Sequence, residues 1–351
     1  MTKTSPSNSP HLIKEGATVR EALSRLNLLS GANMTLFVVD GEGRLVGSLT
    51  DGDIRRALAA GSSLDAPADG VCNRGCLRIC GRGMRYEVAK EARRRCITLL
   101  PVVDPAGKVV QLIDMRGVKA LLPLDAVLMA GGQGQRLRPL TLTTPKPLLP
   151  VGGKAIIDHN IEALASYGVD NIFVTVNYLK EQLQAHFAPD GGCAVPGVCC
   201  VEEPCRLGTM GSLALVEGLR EDDVLVMNSD LLTNIDFARM FERHRSLEAD
   251  LTVAVTQYKV DVPFAVVAHD GDRVIGLQEK PTYNFLANAG IYIMKRSVAD
   301  SIPGGEYLDA PDLIEQLIAA GRRVAYYPIE GTWTDIGNPD DYRAACERFS
   351  S

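Results

Sequence analysis

The stretch AVLMAGGQGQRLRPLTLTTPKPLLPVGGK, Ala126–Lys154, decides the fold. The apolar run Ala126–Ala130 reads as a buried strand. It leads directly into a glycine-rich loop, residues 131–154, that holds Arg136, Arg138, Lys146 and Lys154 and no Asp or Glu. The whole chain is acidic, with Lys plus Arg 37 against Asp plus Glu 43 and a formal charge of −6. A basic, acid-free loop in such a chain has the composition of an anion site. Gly131, Gly132 and Gly134 lack side chains, so their backbone N–H groups can approach an anion closely. The cationic side chains then neutralise phosphate charge. Two common phosphate loops do not fit. A dinucleotide fingerprint needs a third glycine where Leu137 stands, and a P-loop needs Ser or Thr where Ala155 follows Gly153-Lys154.

Downstream, apolar strand candidates at 171–178, 198–203, 223–230 and 250–258 alternate with helix candidates at 155–168, 179–187, 210–219, 236–247 and 310–321. This alternation predicts an α/β fold with a covered, mostly parallel sheet, and ligands beyond the carboxyl ends of its strands. Upstream lies a weak repeat. One copy contains MTLFVVDGEGRLVGSLTDGDIRRAL (Met34–Leu58), the other ITLLPVVDPAGKVVQLIDMRGVKAL (Ile97–Leu121). Each predicts strand, turn, strand and helix, preceded by a helical stretch, TVREALSRLNLL or RYEVAKEARRRC. The turns are expected at Asp40-Gly41 and Pro105-Ala106-Gly107. Two such units around a pseudo-twofold axis would bury a shared sheet face. The expected organisation is a mobile tail at 1–10, a paired-repeat domain at 11–122 and an α/β domain at 123–351.

Hydrophobic residues at 46% and charged residues at 23% exclude a largely disordered chain. No apolar run approaches the ~20 residues of a membrane span, and the N-terminus has no apolar signal region. The acidic balance argues against a nucleic-acid partner. The nine cysteines are then read as reduced thiols in a cytoplasmic protein. Cys72, Cys76 and Cys80 are evenly spaced, but no histidine lies near them, so they are not read as a metal set. Cys199-Cys200 reads as a buried strand pair. The five histidines are scattered and suggest no metal site.

The loop sequence GGQGQRLRPLTLTTPKPLLPV resembles the signature of sugar-1-phosphate nucleotidyltransferases. Further segments follow in that family's order. Leu207-Gly208-Thr209-Met210-Gly211 is similar to its base-binding Leu-Gly-Thr-Ala-Gly, with Met210 in place of Ala. Asn228-Ser229-Asp230 is similar to its Asn-Gly-Asp, with Ser229 in place of Gly. Glu279-Lys280-Pro281, Asn288-Ala289-Gly290-Ile291-Tyr292 and Trp333-Thr334-Asp335-Ile336-Gly337 complete the series. Leu49-Thr50-Asp51-Gly52-Asp53 and the helix after it resemble a cystathionine-β-synthase-type (CBS) tandem. A CBS pair ahead of such a transferase resembles the guanylyltransferases of bacterial surface-sugar synthesis, including glucosamine-1-phosphate guanylyltransferases of the legionaminic acid route.

The resemblance implies a Rossmann-like, GT-A-like nucleotidyltransferase sheet. It also implies a reaction joining a nucleoside triphosphate to a sugar 1-phosphate, with release of pyrophosphate and formation of a nucleotide sugar for surface glycans. The sugar phosphate is largely dianionic at neutral pH, since its second pKa is ~6, so no strong base is required. In-line positioning and neutralisation of a heavily negative transition state are required. Arg136, Lys146 and Asp230 are the implied catalytic groups. Gly131, Gly132, Gly134, Glu203, Gly208 and Thr209 are assigned to the nucleotide, with Gly208 allowing close stacking on the base. Glu279, Lys280, Asn288 and Gly290 are assigned to the sugar phosphate. Asp230 and Asp335 suit Mg²⁺, although each also suits a cap or turn. Trp333 reads equally as a core aromatic or as a lid on the site. GTP and glucosamine 1-phosphate are the expected substrates. Mannose, heptose or glucose 1-phosphate with GTP, UTP or dTTP, and a non-catalytic nucleotide sensor, are the alternatives. Thr50 and Asp53 would bind one adenine nucleotide, with Arg116 reaching its phosphate. Aligning the second repeat on its Val102-Val103-Asp104 and Leu112 places Ile113 opposite Thr50 and Arg116 opposite Asp53. A homo-oligomer is expected by analogy.

Overall fold

The computed structural model describes residues 9–29 and 33–349. Residues 1–8 of the expected tail lie outside them. The chain divides into two compact units: the described part of Met1–Pro123 with Ala165–Val169, and Leu124–Leu164 with Asp170–Ser351.

The first unit contains two three-stranded sheets. The strands are β1 (Leu12–Lys14), β2 (Thr35–Val39) and β3 (Leu45–Thr50), then β4 (Ile79–Cys80), β5 (Leu99–Val103) and β6 (Val109–Asp114). Helix α1 (Val19–Leu28) precedes the first hairpin, α2 (Asp51–Ala59) follows it, and α3 (Arg85–Arg94) precedes the second. The two hairpins share one construction, with a register irregularity at Val38/Val39 in one and Val102/Val103 in the other. Gly43 and Gly107, rather than Gly41, take the left-handed φ of +84° and +82° that the turns demand. Arg44 and Lys108, equivalent positions, form an antiparallel bridge. Phe37, Val39, Leu99, Val103, Val109 and Leu112 form one buried cluster drawn from both copies. The pseudo-twofold packing expected from the repeat is therefore present.

Two details depart from the sequence reading. The second copy ends in a three-residue 3-10 turn, Met115–Gly117, instead of a helix. Gly117 is a poor helix former, and Val118, Ala120, Leu121 and Leu122 are buried, so continuous burial wins over a one-sided helix. The alignment also shifts by one residue. Thr35 pairs with Thr50 and Leu99 with Asp114, which puts Asp114 opposite Thr50 and Gly117 opposite Asp53. Matching the apolar Leu112 to Leu49 slipped the register, and a one-residue slip reverses strand faces.

The second unit contains a seven-stranded sheet. Its strands begin with β7 (Leu124–Met129), and a small ribbon of β8 (Pro150–Val151) and β9 (Lys154–Ala155) follows the loop. Then come β10 (Ile172–Val176), β11 (Val198–Glu202), β12 (Asp223–Asn228), β13 (Leu231–Thr233), β14 (Leu251–Asp261), β15 (Val266–Asp270), β16 (Arg273–Gln278), β17 (Thr282–Lys295), β18 (Val324–Pro328) and β19 (Trp333–Asp335). The sheet order is β11-β10-β7-β12-β17-β14-β18. All its pairs are parallel except the two made by β17, which runs opposite to β12 and β14. The sequence reading missed β17, whose outer half is exposed and lacks a clean apolar pattern.

Helices α4 (Ile156–Ser166), α5 (Lys180–Phe187), α6 (Gly208–Gly211), α7 (Phe237–Ser246), α8 (Arg296–Ala299), α9 (Ala310–Ala319) and α10 (Pro339–Phe349) accompany the sheet. The helix expected at 210–219 is reduced to α6 and a 3-10 turn, Ser212–Leu215. Cys199 is exposed rather than buried, because β11 is an edge strand. The main core joins Val127, Val224, Val226, Tyr292 and Met294 of the sheet to Leu313 and Leu317 of α9.

Candidate active site

The cleft lies beyond the carboxyl ends of β7 and β12, where an open α/β sheet presents ligand sites. One part, about 390 Å³, is lined by Gly132, Gly134, Arg136, Lys146, Arg206, Asp230 and Gly337, among others. The adjoining part, about 230 Å³, is lined by Gly131, Glu203, Gly208, Thr209, Asn228 and Asp309, among others. Met129, Gly132, Arg206 and Asp230 belong to both, so the two parts are one groove. A larger hollow of about 820 Å³ sits at the opposite strand ends, near Asp223 and Lys295. Its charges are largely paired with each other. Burial pushes the Asp250 carboxyl up, but the Arg323 N–H, Lys295 and Arg322 outweigh it and hold it at about 2.

The three loop glycines are required for different reasons. A Cβ on Gly131 would lie 2.8 Å from the Glu203 carboxylate. Gly134 has φ +58°, and a Cβ there would lie 2.9 Å from the Thr141 methyl. Nothing lies within 4 Å of a Cβ on Gly132, which leaves its edge open to the groove. The Thr141 hydroxyl donates to the Gly134 carbonyl at 2.8 Å, and the Tyr178 hydroxyl donates to the Thr141 carbonyl at 2.9 Å. These bonds tie the two sides of the loop to each other and to Tyr178. Of its cations, Lys154 turns away to Glu162 at 2.5 Å, while Arg136 and Lys146 line the groove.

Asp230 and Asp335 come together because β13 pairs with β19, setting Leu231 opposite Asp335. The Ile336 N–H also donates to the Asp230 carbonyl at 3.2 Å. Neither carboxylate is a helix cap: Asp236 caps α7, and Asn338 precedes α10. Lys146, nearly buried, pairs with Asp230 Oδ2 and lies 3.8 Å from Asp335 Oδ1. The other oxygen of Asp230 is buried without a partner. Burial pushes the Asp335 carboxyl up, and the Asp230 charge adds to this, while Lys146 and Arg136 oppose it. Two carboxylates in one place, one with an orphaned lone pair, fit a hard divalent cation.

At the other end of the groove, Glu203 is only 8% exposed, and burial raises its carboxyl. Gly208 has φ +76°, and a Cβ there would meet the Leu308 carbonyl at 2.5 Å. Its side-chain absence therefore serves a backbone crossing, where the sequence reading assigned it to base stacking. The Thr209 N–H donates to Asp309 at 3.0 Å, and the Thr209 hydroxyl accepts from the Ala310 N–H at 2.8 Å. Met210 is fully buried in the main core, which accounts for a larger residue at that point of the motif. The Ser229 hydroxyl donates to the Met129 carbonyl at 2.6 Å, an added tie between β7 and the β12 turn.

None of the four sugar-phosphate residues lines the groove, but Gly290 abuts Asn228, which does. Gly290 has φ +70°, and a Cβ there would lie 2.6 Å from Asn228 Nδ2. Asn288 accepts from the Gly290 N–H at 2.9 Å. The Trp333 indole donates to the Ala289 carbonyl at 2.8 Å, so Trp333 braces this irregularity of β17. Glu279 and Lys280 are exposed between β16 and β17 and do not line the groove. The sequence reading missed Arg206, Tyr307 and Asp309, which line the groove. Arg206 directly precedes Leu207, which was the one available signal.

Comparisons with known proteins agree with this geometry. Residues 125–350 match the nucleotidyl transferase family, and residues 5–60 match the CBS domain. The chain is 35% identical over 227 residues to mannose-1-phosphate guanylyltransferase of Mycobacterium tuberculosis, and 36% identical over 237 residues to mannose-1-phosphate guanyltransferase of Candida albicans. Each match covers 62% of this chain and 62% of the relative, so the chain spans under two thirds of their length. The crystal structure of HddC from Yersinia pseudotuberculosis superposes with a TM-score of 0.52 at 25% identity, over 64% of this chain and 99% of that one. With its sheet, its glycine-rich loop and the paired Asp230 and Asp335, the chain belongs to the nucleotidyl transferase family and carries a CBS domain ahead of the catalytic fold.

Proposed function

We propose that the protein transfers a guanylyl group from GTP to a hexose 1-phosphate. The sugar-phosphate oxygen attacks the α-phosphorus, the bond from that phosphorus to the β-phosphate oxygen breaks, and pyrophosphate leaves. The observation that carries this reading is one groove lined by Arg136, Lys146 and Asp230 at one end, with Asp335 beside Lys146, and by the buried Glu203 at the other. Asp230 and Asp335 would hold Mg²⁺, which when bound supplies positive charge to the phosphate oxygens. Lys146 then exchanges Asp230 for the phosphates, and Arg136 offers its guanidinium fork to the leaving pyrophosphate. The loop N–H groups around Gly132 meet the triphosphate.

Glu203 supports guanine. Its two acceptor oxygens match the adjacent N1–H and N2–H donors of that base, whereas uracil and thymine flank one N–H with two carbonyls. The relatives named above are mannose-1-phosphate enzymes, which favours mannose 1-phosphate over the glucosamine 1-phosphate expected from the CBS arrangement. Asn288, Gly290, Glu279 and Lys280 remain the proposed sugar-phosphate contacts, the last two after inward movement of the β16–β17 turn. Mass spectrometry of products from mixed nucleotides and hexose 1-phosphates tests this. GDP-mannose as the main product is expected, and a dominant UDP- or dTDP-sugar would overturn the guanylyl reading.

In the first unit the proposal is one adenine nucleotide at Thr50 and Asp53. The Thr50 hydroxyl donates to Asp53 Oδ2 at 2.6 Å in a capping box, and Arg56 pairs with the other oxygen. Both carboxylate oxygens keep lone pairs for ribose hydroxyls. The second copy offers Gly117 in place of Asp53, and its Arg116 is held by Asp114 at 2.6 Å. Self-association is part of the reading, since Phe264, Ile275, Leu277, Phe285 and Leu286 are exposed.

A further inference from the structure

Three side chains of the catalytic unit that the reaction does not use meet beneath the α5–β11 loop. Asp158 stands in the first turn of α4, His186 in the last turn of α5, and Cys193 in the loop itself. Their ligand atoms all lie within 4.8 Å of one another. Asp158 is 8% exposed, and the His186 and Cys193 side chains are largely covered. We propose that Asp158, His186 and Cys193 form a binding site for one thiophilic divalent ion of the Zn²⁺ type, with the fourth position left to solvent.

The donor set fits such an ion. A thiolate, an imidazole and a carboxylate are the three ligand types that Zn²⁺ takes, at about 2.0–2.3 Å each. Tetrahedral bonds of that length put ligand atoms roughly 3.4 Å apart, inside the observed spread. The charges also balance: one carboxylate and one thiolate neutralise a divalent cation, so the covered site carries no net charge. Glu162, close by, is already committed to Lys154 at 2.5 Å.

The loop is shaped to deliver the sulfur. A Cβ on Gly191 would lie 2.3 Å from the His186 carbonyl, and one on Gly192 would lie 2.9 Å from His186 Nδ1. Only glycines let the backbone cross the imidazole so closely, and the Cys193 N–H then donates to the His186 carbonyl at 3.2 Å.

Without an ion, protons occupy the site. His186 Nε2–H donates to Asp158 Oδ1 at 2.8 Å, since a carboxylate only accepts. Burial pushes the Cys193 thiol up, and the charges of Asp158 and Glu162 add to it. This is the opposite of an activated nucleophile. On metal binding the imidazole proton moves from Nε2 to Nδ1, the thiol proton leaves to solvent, and the ring backs away from Asp158 by a few tenths of an ångström. Binding therefore releases one proton and tightens as pH rises. The bound ion would fasten α4, α5 and the loop into β11, the strand that ends beside Glu203.

Titration of the metal-free, full-length protein with Co²⁺ tests the site. One equivalent should produce a thiolate-to-cobalt charge-transfer band that Zn²⁺ removes. The band should vanish in Cys193→Ser and persist in Cys200→Ser. His186→Asn should weaken Zn²⁺ binding by at least ~10–100-fold. No band in the wild type, or a band that survives Cys193→Ser, would overturn the proposal. Asp230 and Asp335 offer only oxygen and give no such band, so the outcome is independent of the proposed transferase reaction.

Discussion

Asp335 shows how a half-buried carboxylate burdens the ligand-free fold. Burial and the neighbouring Asp230 raise its carboxyl above the ordinary range. The folded state then binds the proton more tightly than the unfolded chain, so this group favours folding at low pH. That contribution is lost as pH rises through the ordinary carboxylate value towards the raised one. Asp335→Asn should raise the Tm of the metal-free protein at neutral pH by ~1–2 °C, a small gain because the side chain is 41% exposed. The same change should lower kcat by ~10²-fold. Calorimetry with EDTA, beside steady-state kinetics, reads both effects, and an unchanged or lower Tm would contradict the electrostatic account. Asp230→Asn should cost ~10²-fold or more in kcat, and activity unaffected by EDTA would remove the metal role. In the proposed reaction Lys146 meets charge developing on the leaving group, so Lys146→Ala should depress kcat more than it raises KM.

The elements explain why glycines of one groove are not interchangeable. Gly208 combines φ +76° with a carbonyl 2.5 Å from any Cβ. Gly208→Ala should cost ~2 kcal/mol or more, visible as a lower denaturant midpoint. Gly132 has open space around it, so Gly132→Ala should change stability by less than ~0.5 kcal/mol. It should instead raise the nucleotide KM, because the new methyl enters the groove. Equal stability losses in the two variants would refute this distinction. Much of this level was readable beforehand. The strands at 171–178 and 223–230 and the helices at 179–187 and 310–321 are present within a few residues of their expected bounds. β17 escaped notice because only its second half is buried, while Tyr283, Phe285 and Leu286 of its first half are exposed, so no single period spans it.

At the scale of the whole molecule, the repeat gives an asymmetric pair from similar sequences. The first copy keeps a capped helix behind Thr50 and Asp53, and the second keeps only a 3-10 turn with Asp114 and Arg116 paired to each other. The Arg116 side chain holds the Asp114 carboxyl at about 2, against the upward push of burial. Equilibrium dialysis of the full chain with AMP, which lacks the triphosphate needed at the catalytic groove, should find one site per chain, lost in Asp53→Ala. Two equivalent sites, or none, would count against the reading. Among the described residues no helix is long and apolar enough to cross a membrane. Light scattering should detect an oligomer that Ile275→Lys with Leu277→Lys weakens.

The sequence alone determined the features that are local or periodic. The acid-free glycine loop, the alternation of strands and helices and the repeated hairpin need only neighbouring residues to be read. It also singled out Arg136, Lys146, Asp230 and Asp335 from short contiguous motifs, and Glu203 as the acid just upstream of Leu207-Gly208-Thr209. Tertiary structure decided what depends on long-range register. The β13–β19 pairing brings Asp335 to Asp230, and the Leu308 carbonyl passes 2.5 Å from where a Cβ on Gly208 would stand. Strand pairing shifted the repeat alignment by one residue. The meeting of Asp158, His186 and Cys193 was likewise invisible, because three elements converge there with no characteristic spacing. Each of these is fixed by contacts between distant segments, and a linear pattern holds no record of which segments will touch.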